Sequence, residues 1–494
     1  MGELSQTLAR INAVLWNDTW ILIIAGTGVM FTIWSGFMQY RALTHGPKVV
    51  RGVYDDPNDP GAINHFQALS AALSGTVGLG NIGGVALAIA LGGPGAIFWM
   101  WIVGFLGMSI KFVEVTLSML YRNTDDPDNP HGGPMWVAGR ALKRMKPELG
   151  WLGTVLAFGF SFCVMMSSGT GGNMFQAWNV ADVTNEYFGI AGWVSGAILT
   201  VVVGVVLIGG IKRIGKVAGT LVPAMVLIYI VAGFWVLFAN ISDIPEMLRL
   251  IVVSAFAPTE ATGAFVGGTI GSAFLFGMKR AVFSNEAGQG SSAIAHAAAK
   301  TDEPVREGLV GGMEPFIDTI VVCTFTALII LSTGVWNRGP DIAFESPPEP
   351  VRTDTGWTLP DTPLGDGDWQ DQEAVLVVVQ AGENIATGQN VHRIGGIVNQ
   401  TASGFVARWQ TLEGDTRPEV VGGGFYQDHV GATLTAKAFD SVTPGLGKWL
   451  ITIASWLFAI STIIAWGYYG EQGAVYMMGD KSAMPFRLIY CSLT

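Results

Sequence analysis

The sequence predicts an all-α polytopic membrane protein that carries a small β-rich insert. Three observations carry this. Hydrophobic residues make up 50% of the 494, charged residues only 13%, and mean hydropathy is +0.43. Soluble domains are usually about one quarter charged, so too little polar surface remains to cover a water-soluble globule. Apolar runs of the roughly 20 residues needed to cross a bilayer recur along the chain. One polar stretch, 337–446, interrupts them.

The runs lie at 16–40, 66–91, 94–121, 151–175, 190–210, 217–239, 264–287, 309–336 and 448–478, and a tenth begins near Pro485. Many of the 17 Trp sit near their ends, as interfacial anchors do. Residues 1–16 are mildly amphipathic, and the first apolar run is long enough to remain in the bilayer rather than serve as a cleavable signal. Three blocks follow: 1–336 as the first part of the membrane core, 337–446 as the insert, and 447–494 as a second, truncated part of the core.

Positive charge orients the runs. Arg41, Lys48 and Arg51 lie after the first run, and Arg122, Arg140, Lys143, Arg144 and Lys146 after the third. Lys212, Arg213 and Lys216 follow the fifth, and Lys300 and Arg306 the seventh. The alternate loops hold none in 176–189 and only Arg249 in 240–263. This places the basic loops in the cytoplasm, and the N-terminus and 337–446 outside a plasma membrane. The formal charge of −11 is concentrated in the insert, whose 15 acidic and 6 basic residues between 337 and 446 leave −9. No basic face for nucleic acid exists. Ala374–Gln380, 393–398 and 404–411 read as strands, after an irregular Pro/Asp/Gly-rich beginning.

Chemistry concentrates in two glycine-rich runs. In 66–91, Gly75, Gly78, Gly80, Gly83 and Gly84 accompany Thr76 and Asn81. Each interior glycine costs about 1 kcal/mol of helix relative to alanine, so the helix should break there. Broken backbone at membrane depth is tolerated only where it is buried in protein or lines a cavity. Freed N–H groups then hold an anionic group and freed carbonyls a cation. A glycine face for close helix packing is the other reading. In 264–287, Gly267, Gly268, Gly271 and Gly277 predict a second break. Two broken runs five positions apart are what an inverted repeat of five helices predicts. Lys279 or Arg280 would pair with Glu286 or Glu114, or else snorkel to the interface. Ser461 and Thr462 offer adjacent hydroxyls to a monovalent cation, or bond back to their own helix.

Cys163, Cys323 and Cys491 lie in apolar runs without metal spacing and read as buried apolar side chains. Ser291, Ser292 and His296 could suggest a hydrolase, but His296 reads as a solvated histidine at the cytoplasmic end. No enzyme motif or cofactor-binding fingerprint is present.

The stretches GTVGLGNIGGVALAIALGGPGAIFWMW (75–101), HGGPMW (131–136), GMKRAVFSNEAGQGSSAIAHAAAKT (277–301), FIDTIVVCTFTALIIL (316–331) and FAISTIIAWGYYGE (458–471) resemble the alanine or glycine:cation symporter family. The resemblance implies a LeuT-like fold: one peripheral N-terminal helix, then a ten-helix inverted repeat. It implies import of alanine or glycine with sodium or protons, and no other cofactor. Carried onto this sequence, Gly75, Thr76, Gly78, Gly80, Asn81, Phe276, Gly277, Thr462 and Trp466 would bind the substrate. Gly75, Gly78, Ser461 and Thr462 would bind sodium. Trp466 and the 274–276 region would limit side-chain size. The family has shorter outer loops and two further core helices, so the last core helices are expected to be missing here. The protein is expected to work in the bilayer as a monomer or small oligomer. The competing reading is a receptor that uses 337–446 as a ligand-binding ectodomain.

Overall fold

A computed structural model of the chain describes residue 7 and residues 18–260, 263–364, 369–384, 387–401, 404–429 and 431–494. The amphipathic stretch expected at 1–16 lies, Thr7 aside, outside the described residues. The described chain is mostly helical. Gly95–Tyr121, Pro147–Phe188, Gly210–Ala239, Pro304–Ser332 and Leu446–Met478 are each long and apolar enough to cross a membrane, and two bent pairs raise the number to seven. Trp34, Trp193, Val201 and Phe238 expose more than half of their surface. Large apolar side chains turned outward on several helices are what a lipid-facing surface requires.

Helix α1 (Asp18–Trp34) turns by 75° into α2 (Met38–Val50). The expected run 16–40 therefore breaks at Ser35–Phe37, where Gly36 and Phe37 both take positive φ. Helix α3 (His65–Thr76) starts at a capping box of Asn64 and Gln67, which satisfies two orphan N–H groups. A π turn (Gly80–Gly84) leads into α4 (Val85–Gly92), bent 53° from α3. The break falls where the glycines predict it.

Then come α5 (Gly95–Tyr121) and an amphipathic α6 (Pro134–Met145), the latter not expected from the sequence. Helix α7 (Gly150–Gly169) passes through a π turn (Thr170–Met174) into α8 (Phe175–Phe188). Helices α9 (Gly192–Leu207), α10 (Gly210–Ala239) and α11 (Ile244–Ser254) follow.

The seventh run corrects the sequence reading. Residues 264–269 are not helical, and α12 (Ile270–Asn285) starts at a second capping box, Thr269 with Ser272. Gly271 and Gly277 do not break it. A Cβ on Gly277 would stand 2.3 Å from the Ala96 carbonyl oxygen, and one on Gly271 would stand 2.8 Å from that of Thr387. These glycines serve close packing. The interruption comes later, at 286–291, where Glu286, Gly288 and Gly290 take positive φ, before the short α13 (Ser292–His296). Lys279 pairs with Asp18 at 2.9 Å, not with Glu286 or Glu114, and Arg280 lies over the Phe283 ring. Helix α14 (Pro304–Gly311) continues through a π segment (Phe316–Cys323) into α15 (Thr324–Ser332).

The polar stretch forms a seven-stranded sheet and a separate three-stranded one. The centre of the larger sheet is β1 (Ala374–Gln380) between β2 (Val391–Thr401) and β4 (Gly424–Gln427), with β3 (Gly404–Trp409) beyond β2. The 337–446 stretch does not end as sheet. Helix α16 (Ala432–Asp440) packs into the membrane core, and its Thr435 Oγ1 donates to the Ile82 carbonyl at 3.2 Å. Helix α17 (Leu446–Met478) is central and mostly buried, whereas most of Pro147–Phe188 faces outward. Helix α18 (Ala483–Ser492) closes the chain, and its Arg487 pairs with Glu471 at 2.7 Å. Cys323 is buried, but Cys163 is exposed on α7, against the expectation that all three cysteines are buried.

Loops carrying positive charge gather at one end of the bundle. There Arg122 donates to the carbonyls of Ala297 (2.9 Å), Ala299 (2.7 Å), Thr301 (2.5 Å) and Pro60 (3.1 Å). The sheet sits at the other end, where Gln389 donates to Leu91 (3.0 Å) and Gly267 (2.9 Å) carbonyls and Arg393 to that of Ala264 (3.1 Å).

Candidate functional site

Both helix interruptions open onto one cavity of about 570 Å³. From the first come Gly75, Thr76, Gly78, Leu79 and Gly80; from the second, Glu286 and Gln289. Helix α17 adds Thr462 and Trp466, and the π turn of α7–α8 adds Thr170, Gly171 and Gly172. A Cβ on Gly172 would meet the Trp466 Cβ at 2.4 Å, so only glycine lets the indole approach this wall. Trp466 is further held edge-on by Tyr469, ring centroids 5.5 Å apart.

The broken stretch is stabilised by its own side chain. Asn81 Oδ1 accepts the Gly78 N–H at 2.7 Å, in place of the helical carbonyl that the break removes. Asn81 Nδ2 donates to Asp318 Oδ1 at 2.6 Å. Ser284 Oγ and Thr319 Oγ1 each donate to Asp318 Oδ2 at 2.8 Å. Asp318 is fully buried, and no ion pair to it occurs among the described residues. Asn81 thus positions the cavity wall from behind; it does not line the cavity.

Thr76 Oγ1, Thr462 Oγ1 and Tyr469 Oη are buried without a hydrogen-bond partner among the described residues. Thr462 Oγ1 would stand 3.2 Å from a Cβ on Gly78, and Tyr469 Oη 3.1 Å from one on Gly75. Buried hydroxyls ordinarily find a partner. Several unmatched oxygens around an opened backbone suit a hard monovalent cation. Ser461 differs: its Oγ donates to the Phe458 carbonyl at 2.8 Å, and its own carbonyl accepts Ser74 Oγ at 2.7 Å. Its hydroxyl bonds back to its helix, the bland alternative from the sequence.

Of the sequence-predicted substrate residues, Gly75, Thr76, Gly78, Gly80, Thr462 and Trp466 line the cavity. Phe276 and Gly277 do not. They sit on the part of α12 that packs against Gly92 and Ala96. Phe274 packs edge-on against Trp99, so the aromatic wall is Phe283 and Phe175 instead. The sequence reading placed these residues beside a break that occurs further along the chain.

Sequence reasoning missed the buried ionisable residues Lys111, Glu307, Glu314 and Asp318, and misread His296, which is fully buried rather than solvated. A usable signal was there: four of these interrupt or adjoin apolar runs, and ionisable groups at membrane depth are costly and functional by default.

The profile of the sodium:alanine symporter family matches residues 1–346 and 401–494. The chain belongs to this family. Within it, the chain is 35% identical over 480 residues to a sodium/alanine symporter, AgcS, of Methanococcus maripaludis, covering 97% of this chain and 85% of that protein. It is 32% identical over 481 residues to a putative sodium/proton-dependent alanine carrier protein, YrbD, of Bacillus subtilis, covering 97% and 80%. It is 37% identical over 335 residues to a probable sodium/glutamine symporter, GlnT, of Bacillus subtilis, covering 68% and 67%. The family and these relatives support a cation-coupled amino-acid transporter. Residues 347–400, which hold β1 and most of β2, lie outside the family match.

Proposed function

We propose that the chain imports a small neutral amino acid, alanine or glycine, together with sodium by alternating access across a plasma membrane. The single observation that carries this is the meeting of both helix interruptions at one cavity beside unmatched buried hydroxyls. A membrane anchor or receptor needs neither, so the ectodomain reading is not favoured. We read the architecture as a LeuT-like inverted repeat with α1 peripheral, the basic-loop end cytoplasmic, and the N-terminus and sheet outside.

In this reading the substrate is held at both ends. Its carboxylate faces the start of the second half-helix at Leu79–Gly80, where the helix dipole is positive. Its ammonium faces Glu286, Gln289 and the opened backbone between them. Trp466 and Phe283 restrict side-chain size. Sodium lies among the carbonyls of Gly75 and Gly78 and the hydroxyl of Thr462, with the Ser461 hydroxyl, already bonded to the Phe458 carbonyl, contributing less. The test is uptake of labelled alanine, glycine and glutamine into proteoliposomes with and without a sodium gradient. Sodium-driven uptake of the two smaller amino acids is expected. Preference for glutamine would overturn the size assignment, and equal uptake without sodium would overturn the coupling.

A further inference from the structure

At the basic-loop end of the bundle lies a chain of charged side chains that the transport reading does not use. It runs from His65 through Glu307, His296 and Glu314 to Lys111, and each member is at most 1% exposed. His65 Nδ1 meets Glu307 Oε2, and His296 Nδ1 meets Glu307 Oε1. His296 Nε2 lies 2.7 Å from Glu314 Oε1. Glu314 Oε2 lies 3.5 Å from Lys111 Nζ, which donates to Ser292 Oγ at 2.6 Å. At the surface end, His65 Nε2 is 3.6 Å from Asp55, a loop carboxylate 43% exposed.

Counting hydrogens shows what this chain holds. Both ring nitrogens of His296 face carboxylate oxygens. A neutral imidazole has one donor and one acceptor nitrogen, and an ionised carboxylate only accepts. A neutral His296 between two ionised carboxylates would aim a lone pair at one of them. The contacts close only if one extra proton sits on His296, Glu307 or Glu314. With that proton, Lys111 and the imidazolium offset Glu307 and Glu314, as burial demands. Without it, the chain is left net negative with one repulsive contact.

The position of the chain gives the proton a task. His65 is the first residue of α3, whose other end carries Gly75 and Thr76 in the cavity wall, about 16 Å away along a rigid helix. His296 ends α13, just beyond the interruption that brings Glu286 and Gln289 to the same cavity. The chain therefore ties the basic-end tips of both broken spans to α14 and α5. Opening the cavity toward that end must part these elements, and His65–Glu307 is a contact that parts.

We propose that the His65–Glu307–His296–Glu314 chain binds one exchangeable proton that latches the cavity shut toward the basic-loop end. This rests on the transport reading above. Release is a plain proton transfer: an N–H or O–H of the chain gives its proton through His65 to Asp55 or water, and no other bond changes. Other charged groups border the chain. At the loop end these are Arg306, Arg122, Asp59 and Asp302. Toward the cavity they are Glu114 and Glu286, with Asp318 beyond. None supplies the second donor that His296 needs, because its two ring contacts are to Glu307 and Glu314.

The experiment is labelled-alanine uptake into proteoliposomes at a fixed sodium gradient, with pH varied on one side at a time between about 6 and 10, a window reaching above that of a free histidine because two carboxylates flank the imidazole. Loss of the latching proton frees the basic-loop end, so the initial rate should rise severalfold as pH rises on that side and stay level on the other. In His296→Gln the rise should vanish, while equilibrium alanine binding in detergent stays within a factor of two. A flat rate on both sides in the unmodified protein overturns the proposal, as does an undiminished rise in His296→Gln. A second measurement needs no variant and no transport. Amide exchange of residues 63–70 and 292–301 in the unmodified protein should rise with pH beyond the intrinsic base-catalysed rate. Exchange that follows the intrinsic rate alone overturns the latch. Absence of alanine uptake at every pH would instead strike the transport reading, and the exchange result would still decide the latch.

Discussion

Asn81 Oδ1 accepts the Gly78 N–H at 2.7 Å, and this bond holds the first broken span in its opened form. The same amide reaches Asp318 at 2.6 Å, so one side chain links the cavity wall to a buried carboxylate on a neighbouring span. Asn81→Ala strands the Gly78 N–H and removes a donor from Asp318. Each buried group left unmatched costs about 1–3 kcal/mol. A lower thermal midpoint and loss of uptake are expected. Wild-type uptake in Asn81→Ala would show that the break holds itself open.

Gly172 faces Trp466 with no room for a methyl group, a Cβ falling 2.4 Å from that of the indole. Gly172→Ala must push Trp466 toward the cavity. Overpacking of this kind costs about 1–3 kcal/mol. Uptake should show a raised KM for alanine and less change for glycine, whose smaller body tolerates a narrowed site. Equal changes for both would place Trp466 away from the substrate side chain.

The two adjacent hydroxyls of α17 should separate in a sodium titration. Thr462 Oγ1 is buried without a partner among the described residues, whereas Ser461 Oγ is bonded to the Phe458 carbonyl. Thr462→Ala should raise the sodium half-saturation more than Ser461→Ala, with alanine affinity at saturating sodium less affected. The reverse order would make Ser461 the ligand and its bond to Phe458 dispensable.

Arg393 fastens the sheet to the membrane helices, donating to the Ala264 carbonyl at 3.1 Å and lying 3.6 Å from Asp428. Arg393→Ala leaves the Asp428 carboxylate with its burial cost and one cation fewer. Limited proteolysis should then cleave within 337–430 at lower protease concentration, with the membrane helices intact. Unchanged cleavage would mean that the Gln389 bonds and the Thr269 hydroxyl, which donates to the Thr387 carbonyl, suffice.

Beside this junction, burial, Arg338 and Lys437 push His429 down to about 4, from about 6.5 for a free histidine. The unfolded chain therefore binds a proton that the folded chain refuses across that window. Stability contributed by neutral His429 is complete above about pH 6.5 and is lost progressively as pH falls toward 4. The thermal midpoint of the sheet should fall between those values. In His429→Asn the slope should be shallower; an identical slope would assign the acid lability to other groups.

The sequence by itself determined the membrane class, the break at Gly75–Gly84, the strand Ala374–Gln380 and the family resemblance. Each is a local property. Hydropathy, glycine density and alternation act within a few turns or one strand, and five glycines in the ten residues 75–84 weaken a helix whatever surrounds it. Six of the nine residues read as substrate-facing accordingly line the cavity. Tertiary structure decided the rest. The second break lies at 286–291 and not at Gly271–Gly277, because a helical glycine can serve either unwinding or close packing. Only the neighbouring Ala96 and Thr387 carbonyls show that Gly277 and Gly271 serve packing. The helix Ala432–Asp440 inside an acidic segment joins the core because Gly83 leaves space for its first turn, a contact across 350 residues of chain. His296 is buried rather than solvated for the same reason. Its two ring nitrogens are partnered there by Glu307 and Glu314, and the meeting of such groups depends on how α13 and α14 pack, which no pattern along the chain records.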